Sequence, residues 1–424
     1  MAKGRRDINA LTDDELRDYI HALDVLRQRS AQNPDDETGY VFQAALHNDM
    51  FVGPCEHGSD LFFPWHRAHL HYFEQLLQAA DPPRTENVTI PYWDWIHAEA
   101  TGKFPAAFSN EGLSEDDRNE EPEELPSQTL TIVTDETSWA EFGGYPEGDP
   151  NGDYGRLERG PHNFMHPSFI GGKMANPATA AEDPIYFSFH CFIDLMWAEW
   201  QRRNGMPPPT SPDHDLRGFQ AQPKHTVAEF QETEELDYVY EYSAQLKEAF
   251  EIEVPGPPPE PELLATEPLE PVFAEGIAAE LRRTERLQYR VPAAREDGGT
   301  IVRLNRIKVP TGGSYVLRAY LHPAEVEFTP DDPDFTARFF VDFVALWRAH
   351  AMPEDDDREA HAHHPTEMTA RFDVTAKLGA PDSGGEQLLS LQYVPAPDPT
   401  GRRELRPELA DEVTLDEVVM EVYR

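Results

Sequence analysis

The chain has 424 residues, 79 acidic side chains against 36 basic ones, and a formal net charge of −43. That charge excludes nucleic acid and anionic lipid as partners, since both need basic surface, while 39% hydrophobic residues in a chain of this length suffice to fill two domains. Only seven of the basic residues are lysine and the acidic ones are spread along the whole chain; such an excess repels itself at low salt and is tolerated under strong screening, which points to a salt-adapted, halophilic microbe, with an acidic solubility surface as the plainer reading.

Met1 to Asp7 contain no apolar signal-peptide core, and no later stretch reaches the apolar length of a membrane span, so a soluble cytoplasmic protein is expected. Thr12-Asp13-Asp14-Glu15 reads as a capping box opening a helix with Leu16, Tyr19, Ile20, Leu23 and Leu26 on one face. Residues 39 to 48 predict a short helix carrying His47. A stronger helix is predicted over 65 to 80, where His66, Leu70, Phe73 and Leu77 share a face, so His66 points into the core. An aromatic patch follows at Pro91-Tyr92-Trp93-Asp94-Trp95, and residues 105 to 155, rich in Glu, Pro, Gly and Ser, read as a long surface excursion. Asp183-Pro184 predicts the start of a helix running through His190, Ile193, Asp194 and Trp197 to Asn204-Gly205.

From 254 to 271 the chain is proline-rich, as an extended and stiff connector would be. Beyond it, runs beginning at Tyr315, Phe339, Thr369, Leu388 and Val418 read as strands between Gly, Pro and Asp turns. The expected organisation is a mainly α domain over 1–253, a linker over 254–271 and a β-sandwich over 272–424.

The histidines carry the chemistry. One group is His47, His57 and His66; the other is His162, His166 and His190. Imidazoles without a carboxylate suit copper, zinc or iron, and two groups of three suggest two metal ions. His162 and His166, at i and i+4, project from one face if helical and can converge on one ion. His69, His71 and His97 lie nearby and read as surface residues or as supports for the ligands. The tract His361-Ala362-His363-His364 sits in an acidic loop and reads first as a solvated turn, second as an adventitious metal binder.

Over residues 40 to 245 these motifs resemble the type-3 copper proteins, a family of tyrosinases, catechol and polyphenol oxidases, aminophenol oxidases and hemocyanin units. The resemblance rests on Cys-x-His-Gly at Cys55, Phe-Pro-Trp-His-Arg at Phe63, Pro-Tyr-Trp-Asp-Trp at Pro91, Pro-His-Asn-x-x-His at Pro161, and the run from Asp183 through His190 and Asp194 to Trp197. It implies a four-helix-bundle core holding two copper ions, one on His47, His57 and His66 and the other on His162, His166 and His190. Tyr238-Val239-Tyr240 resembles the segment closing the catalytic domain, and the sandwich resembles the domain that covers the copper site in plant enzymes and hemocyanins.

The resemblance also implies finer roles. Cys55, two residues before His57, is expected in a thioether with that imidazole, against a plain buried thiol. Glu158 and Asn163 match the pair that holds the water taking a phenol proton; the alternative for Glu158 is a surface ion pair with Arg156 or Arg159. Asp194 is expected to orient a ligand imidazole from behind, or else to cap or pack. Phe189 stands where relatives carry a second histidine, which removes no ligand. Lys173 near the entrance attracts an acidic phenol or faces solvent. The implied function is oxidation of o-diphenols by dioxygen, with monophenols or o-aminophenols as further substrates; the alternative is a hemocyanin-like reversible oxygen carrier, and a zinc or iron enzyme is disfavoured by the lack of ligand carboxylates.

Overall fold

The computed structural model describes residues 2–47, 54–97, 104–119, 128–146, 149, 154–205, 210–250, 263–270, 272, 286–292, 299–308, 315–330, 332–346, 367–378, 386–395, 415 and 417–423. A helical domain precedes a β-sandwich, as the sequence patterns predict. Helix α1 (Asp13–Gln32) opens on the expected capping box: Thr12 Oγ1 accepts from the Glu15 amide while the Glu15 carboxylate accepts from the Thr12 amide, satisfying two amides the first turn leaves unpaired. Its buried face carries Tyr19, Leu23 and Leu26. The short α2 (Tyr40–Leu46) ends on His47 as its C-cap.

Helix α3 (Phe62–Gln78) is buried from Phe62 through Glu74, and α6 (Ile185–Asn204) from Ile185 through Trp197. Apolar side chains all round, not on one stripe, drive both to the centre of the domain, where they pack on each other. Helix α6 stops at Gly205, whose φ of 78° is the left-handed conformation glycine accepts without strain. Between these helices, Glu158–His162 and Met165–Ile170 form two π-helical segments.

The stretch expected as a surface excursion is partly core. Helices α4 (Thr129–Asp135) and α5 (Trp139–Gly143) bury Ile132, Val133 and Phe142, and Phe142 stacks between Phe63 of α3 and Trp200 of α6. Composition hid these few apolar residues among acidic neighbours. The N-terminal strand β1 (Lys3–Arg5) pairs in parallel with β2 (Tyr238–Tyr240), tying the two ends of the helical domain together before α7 (Ala244–Phe250).

The sandwich contains two four-stranded antiparallel sheets, ordered β3-β10-β5-β8 and β4-β9-β6-β7. The strands are β3 (Leu263–Pro268), β4 (Arg286–Val291), β5 (Gly299–Lys308), β6 (Tyr315–Pro323), β7 (Phe340–Leu346), β8 (Glu367–Asp373), β9 (Gln387–Pro395) and β10 (Glu417–Tyr423). Residues 263–268, expected inside the linker, therefore belong to the sandwich as an edge strand, where a terminal proline costs no central ladder bond. Strand β5 also escaped the sequence reading, because Val302 and Leu304 alternate with Arg303 and Asn305.

Val316, Phe343 and Ala345 of the sandwich belong to the same apolar cluster as the helical core, and the Phe164 and Phe343 rings lie 5.4 Å apart. The tract at His361 lies outside the described residues. Among the described residues no helix is long and apolar enough to cross a membrane.

Candidate metal centre

The two histidine trios converge in the helical domain. Helix α2 delivers His47, the following loop His57 and α3 His66; the π-helical segments deliver His162 and His166, and α6 delivers His190. Within each trio one ring nitrogen per residue lies within 4.8 Å of the others. Across the trios, the His66 and His190 rings stack with centroids 4.4 Å apart, and the His57 and His162 rings lie 5.6 Å apart.

The hydrogen bonds behind the rings set which nitrogen faces inward. A carbonyl can only accept, so Nδ1 of His47 donates to Pro177 O (3.1 Å), Nδ1 of His66 to Phe62 O (2.8 Å) and Nδ1 of His166 to Met174 O (2.9 Å). Each Nε2 then presents a lone pair to the interior. His162 Nδ1 donates to Asn163 Oδ1 at 2.8 Å, and His57 Nδ1 to Glu158 Oε1 at 2.9 Å. The loop just before α6 thus orients one histidine of each trio through backbone carbonyls, a contact no side-chain identity could reveal.

Burial keeps five of these six rings neutral. It pushes His47 down to about 4 and His162 to about 3, and with the neighbouring histidines it holds His66, His166 and His190 well below the usual range. Neutral imidazoles are what a metal ion needs. Among the described residues, buried Nε2 of His66 and both ring nitrogens of His190 have no hydrogen-bond partner. Lone pairs stranded in a dry interior are costly. Two ions held by three imidazoles each would take the lone pairs of His66 Nε2 and of one His190 nitrogen, and the all-nitrogen donor set suits copper.

Residues 37–129 and 107–203 match the family model of the common central domain of tyrosinase. A tyrosinase of Hahella sp. (strain CCB-MM4) is 29% identical over 299 residues, 56% of this chain and 63% of that protein. The chain therefore spans less than two thirds of that relative's length. Among solved structures, latent aurone synthase, a polyphenol oxidase, superposes with a TM-score of 0.68 at 19% identity, covering 100% of this chain and 90% of that one; an octopus hemocyanin unit gives 0.61 at 16%, covering 99% of each. At these identities the two likenesses speak for the fold.

The family model thus shows a tyrosinase central domain within residues 37–203. The two trios are the described residues that fit a pair of copper ions.

The remaining predicted residues fall as follows. Glu158 is buried and accepts from His57 Nδ1 and the Gly58 amide (3.0 Å), so it spans from the second trio's segment to the first trio and is not a surface partner of Arg156 or Arg159. Asn163 places Oδ1 on His162 and donates Nδ2 to Ala345 O of strand β7 at 3.3 Å. Cys55 is fully buried. Lys173 pairs with Glu115 at 3.1 Å.

Asp194 departs from its expected role behind a ligand imidazole. Its carboxylate accepts from Arg67 Nε (2.6 Å), Tyr238 Oη (2.5 Å) and Tyr240 Oη (2.6 Å), with Arg5 Nη1 3.5 Å away. Two buried guanidinium groups claim it first, because charge-assisted bonds outweigh one to a neutral ring. Sequence reasoning missed both arginines, although Arg67 adjoins His66. Of the three histidines near the trios, His69 is buried between Tyr186 and Gln43, His71 meets Gln75 at 2.9 Å, and His97 pairs with Asp94 at 2.8 Å.

Proposed function

We propose that this chain is an oxidase that uses dioxygen to convert o-diphenols to o-quinones, with monophenol hydroxylation and o-aminophenol oxidation as further reactions of the same site. The observation that carries this reading is the pair of facing trios, buried and close enough for one small molecule to meet both. When bound, the copper pair exchanges electrons between a phenol and dioxygen, chemistry no side chain here supplies. The six histidines hold the ions, and the apolar packing around them excludes water. Glu158 and Asn163 flank His162, where a carboxylate and an amide can hold a water that accepts the phenol proton. Cys55, two residues before His57, is assigned a thioether to that ring.

The sandwich is read as a cover that renders the enzyme latent. The carbonyl of Ala345 and the ring of Phe343 against the second trio's segment support this, as does the latent state named for aurone synthase. Hemocyanin-like oxygen carriage is the second reading, favoured by the full-length likeness to the octopus unit.

The test is oxygen uptake by copper-loaded protein with catechol, tyrosine and 2-aminophenol, before and after cleavage in the 254–262 segment. Catechol-dependent uptake that rises on cleavage is the expected result. Reversible oxygen binding without turnover in either form would replace the oxidase reading with the carrier one.

A further inference from the structure

His69 binds neither trio, yet it stands one helical turn from three of the six histidines. It follows His66 by three residues on α3. Its Nε2 lies 3.0 Å from the carbonyl of Gln43, four residues before His47 on α2, and its Nδ1 lies 3.3 Å from the hydroxyl of Tyr186, four residues before His190 on α6. The Gln43 carbonyl can only accept, so Nε2 carries the proton and Nδ1 accepts from Tyr186 Oη. One neutral imidazole therefore joins the three helices that present His47, His66 and His190. The Tyr186 ring completes the arrangement: its centroid lies 4.8 Å from the His47 ring and 4.3 Å from the His190 ring, so it touches one histidine of each trio. His69 and Tyr186 are both buried.

We propose that His69, through Tyr186 and the Gln43 carbonyl, is a positioning residue that fixes the placement of His47 and His190 relative to His66, each through its own arm. The physical reason is leverage. A hydrogen bond one turn from a ligand fixes the rotation and axial position of its helix, and imidazole placement within a fraction of an ångström governs metal affinity. The two arms are separable, because one reaches α2 and the other α6. The proposal rests on the reading that the trios bind copper.

The experiment uses the full-length copper-loaded protein, dialysed against a graded series of chelator, with copper occupancy at each trio read from anomalous diffraction and metal-free melting recorded alongside. Tyr186→Phe removes only the hydroxyl and so cuts the α6 arm. His69→Asn keeps an acceptor near Nδ1 but is too short to reach Gln43, and so cuts the α2 arm. Tyr186→Phe is expected to lower affinity about tenfold at the trio containing His190 and little at the other; His69→Asn should do the reverse. A merely structural role would shift melting while leaving the two occupancies in step. Unchanged occupancy in both variants, or equal loss at both trios in both, overturns the proposal. If His69→Asn does not fold, the Tyr186→Phe occupancies decide alone. A wild-type protein that retains no copper overturns the metal reading itself, and the proposal with it.

Discussion

Asp194→Asn separates two roles for this carboxylate. Asp194 is the acceptor for Arg67 Nε and faces Arg5, whose other carboxylate partner is Glu74 at 2.9 Å. Arg67 keeps only neutral partners besides it, donating to Gln231 O at 2.6 Å and Phe230 O at 3.3 Å and lying 3.6 Å over the Trp197 ring. With asparagine, buried Arg5 keeps the carboxylate of Glu74 while the buried guanidinium of Arg67 has no carboxylate partner. One buried positive charge is left uncompensated, which costs about 3–5 kcal/mol. At about 2–4 °C per kcal/mol for a domain of this size, melting should fall by about 6–20 °C.

The assay is thermal unfolding of metal-free protein followed by tryptophan fluorescence, paired with chelator competition on the copper-loaded form. If Asp194 instead orients an imidazole, stability would barely move and copper affinity would drop about 10- to 100-fold. A destabilisation under about 1 kcal/mol would refute the charge-balance argument.

Burial raises the Asp7 carboxyl from its ordinary 3.8 to about 6, so the native state disfavours the ionised form. Below pH 4 the group is protonated in both states and costs nothing; as pH rises through 6 the native state bears the full burial penalty, and stability is lost in that window. Asp7→Asn, which still accepts from the Asn9 amide, should therefore melt higher than wild type at pH 7.5 and level with it at pH 4; a gap that does not close on acidification contradicts this. The Cys55 thioether predicts an intact mass two hydrogens below the sequence value, mapped to the peptide carrying His57, and a titratable thiol at Cys55 in copper-loaded protein would exclude the bond. The distributed charge of −43 predicts a melting temperature that climbs from low to molar salt, and a flat profile would leave the acidic surface as a solubility feature.

The histidines were legible because each sits in a short local pattern: His66 on the buried face of an amphipathic run, His190 behind a proline-initiated helix, and His162 and His166 one turn apart. What supports them was not. Asp194 draws its partners from positions 5, 67, 238 and 240, and Glu158 reaches back to His57, so both roles arise from tertiary placement. The carbonyls of Met174 and Pro177 orient His166 and His47 whatever their side chains, and such contacts leave no mark in composition. In the sandwich, strands with continuous apolar runs were readable, while β3 was hidden in the proline-rich linker and β4 and β5 by the polar residues alternating along them.

The seam between sandwich and helical domain bears on how a cover could be released. Arg371 of β8 pairs with Glu141 of α5 at 3.0 Å, Arg159 donates to Arg371 O at 2.8 Å, and Arg156 faces Asp342 of β7 at 3.8 Å. Burial raises Asp342, while the guanidinium groups of Arg156 and Arg159 pull it back down. These charges are largely buried, and the pairs across the seam add to partners on the same side, Glu421 for Arg371 at 2.7 Å and Glu136 for Arg156 at 3.3 Å. A buried ion pair adds little net stability when formed but costs much when one partner is removed without the other. Complete separation rehydrates both partners at once, whereas partial loosening strands them. The seam therefore favours a cover that is either fully seated or fully released. Asn163 ties that choice to the metal centre, since its amide bridges His162 on one side and the Ala345 carbonyl on the other. Cleaving the linker leaves these contacts intact but removes the tether that reseats a released sandwich, so release becomes a dissociation and the exposed form accumulates on cleavage.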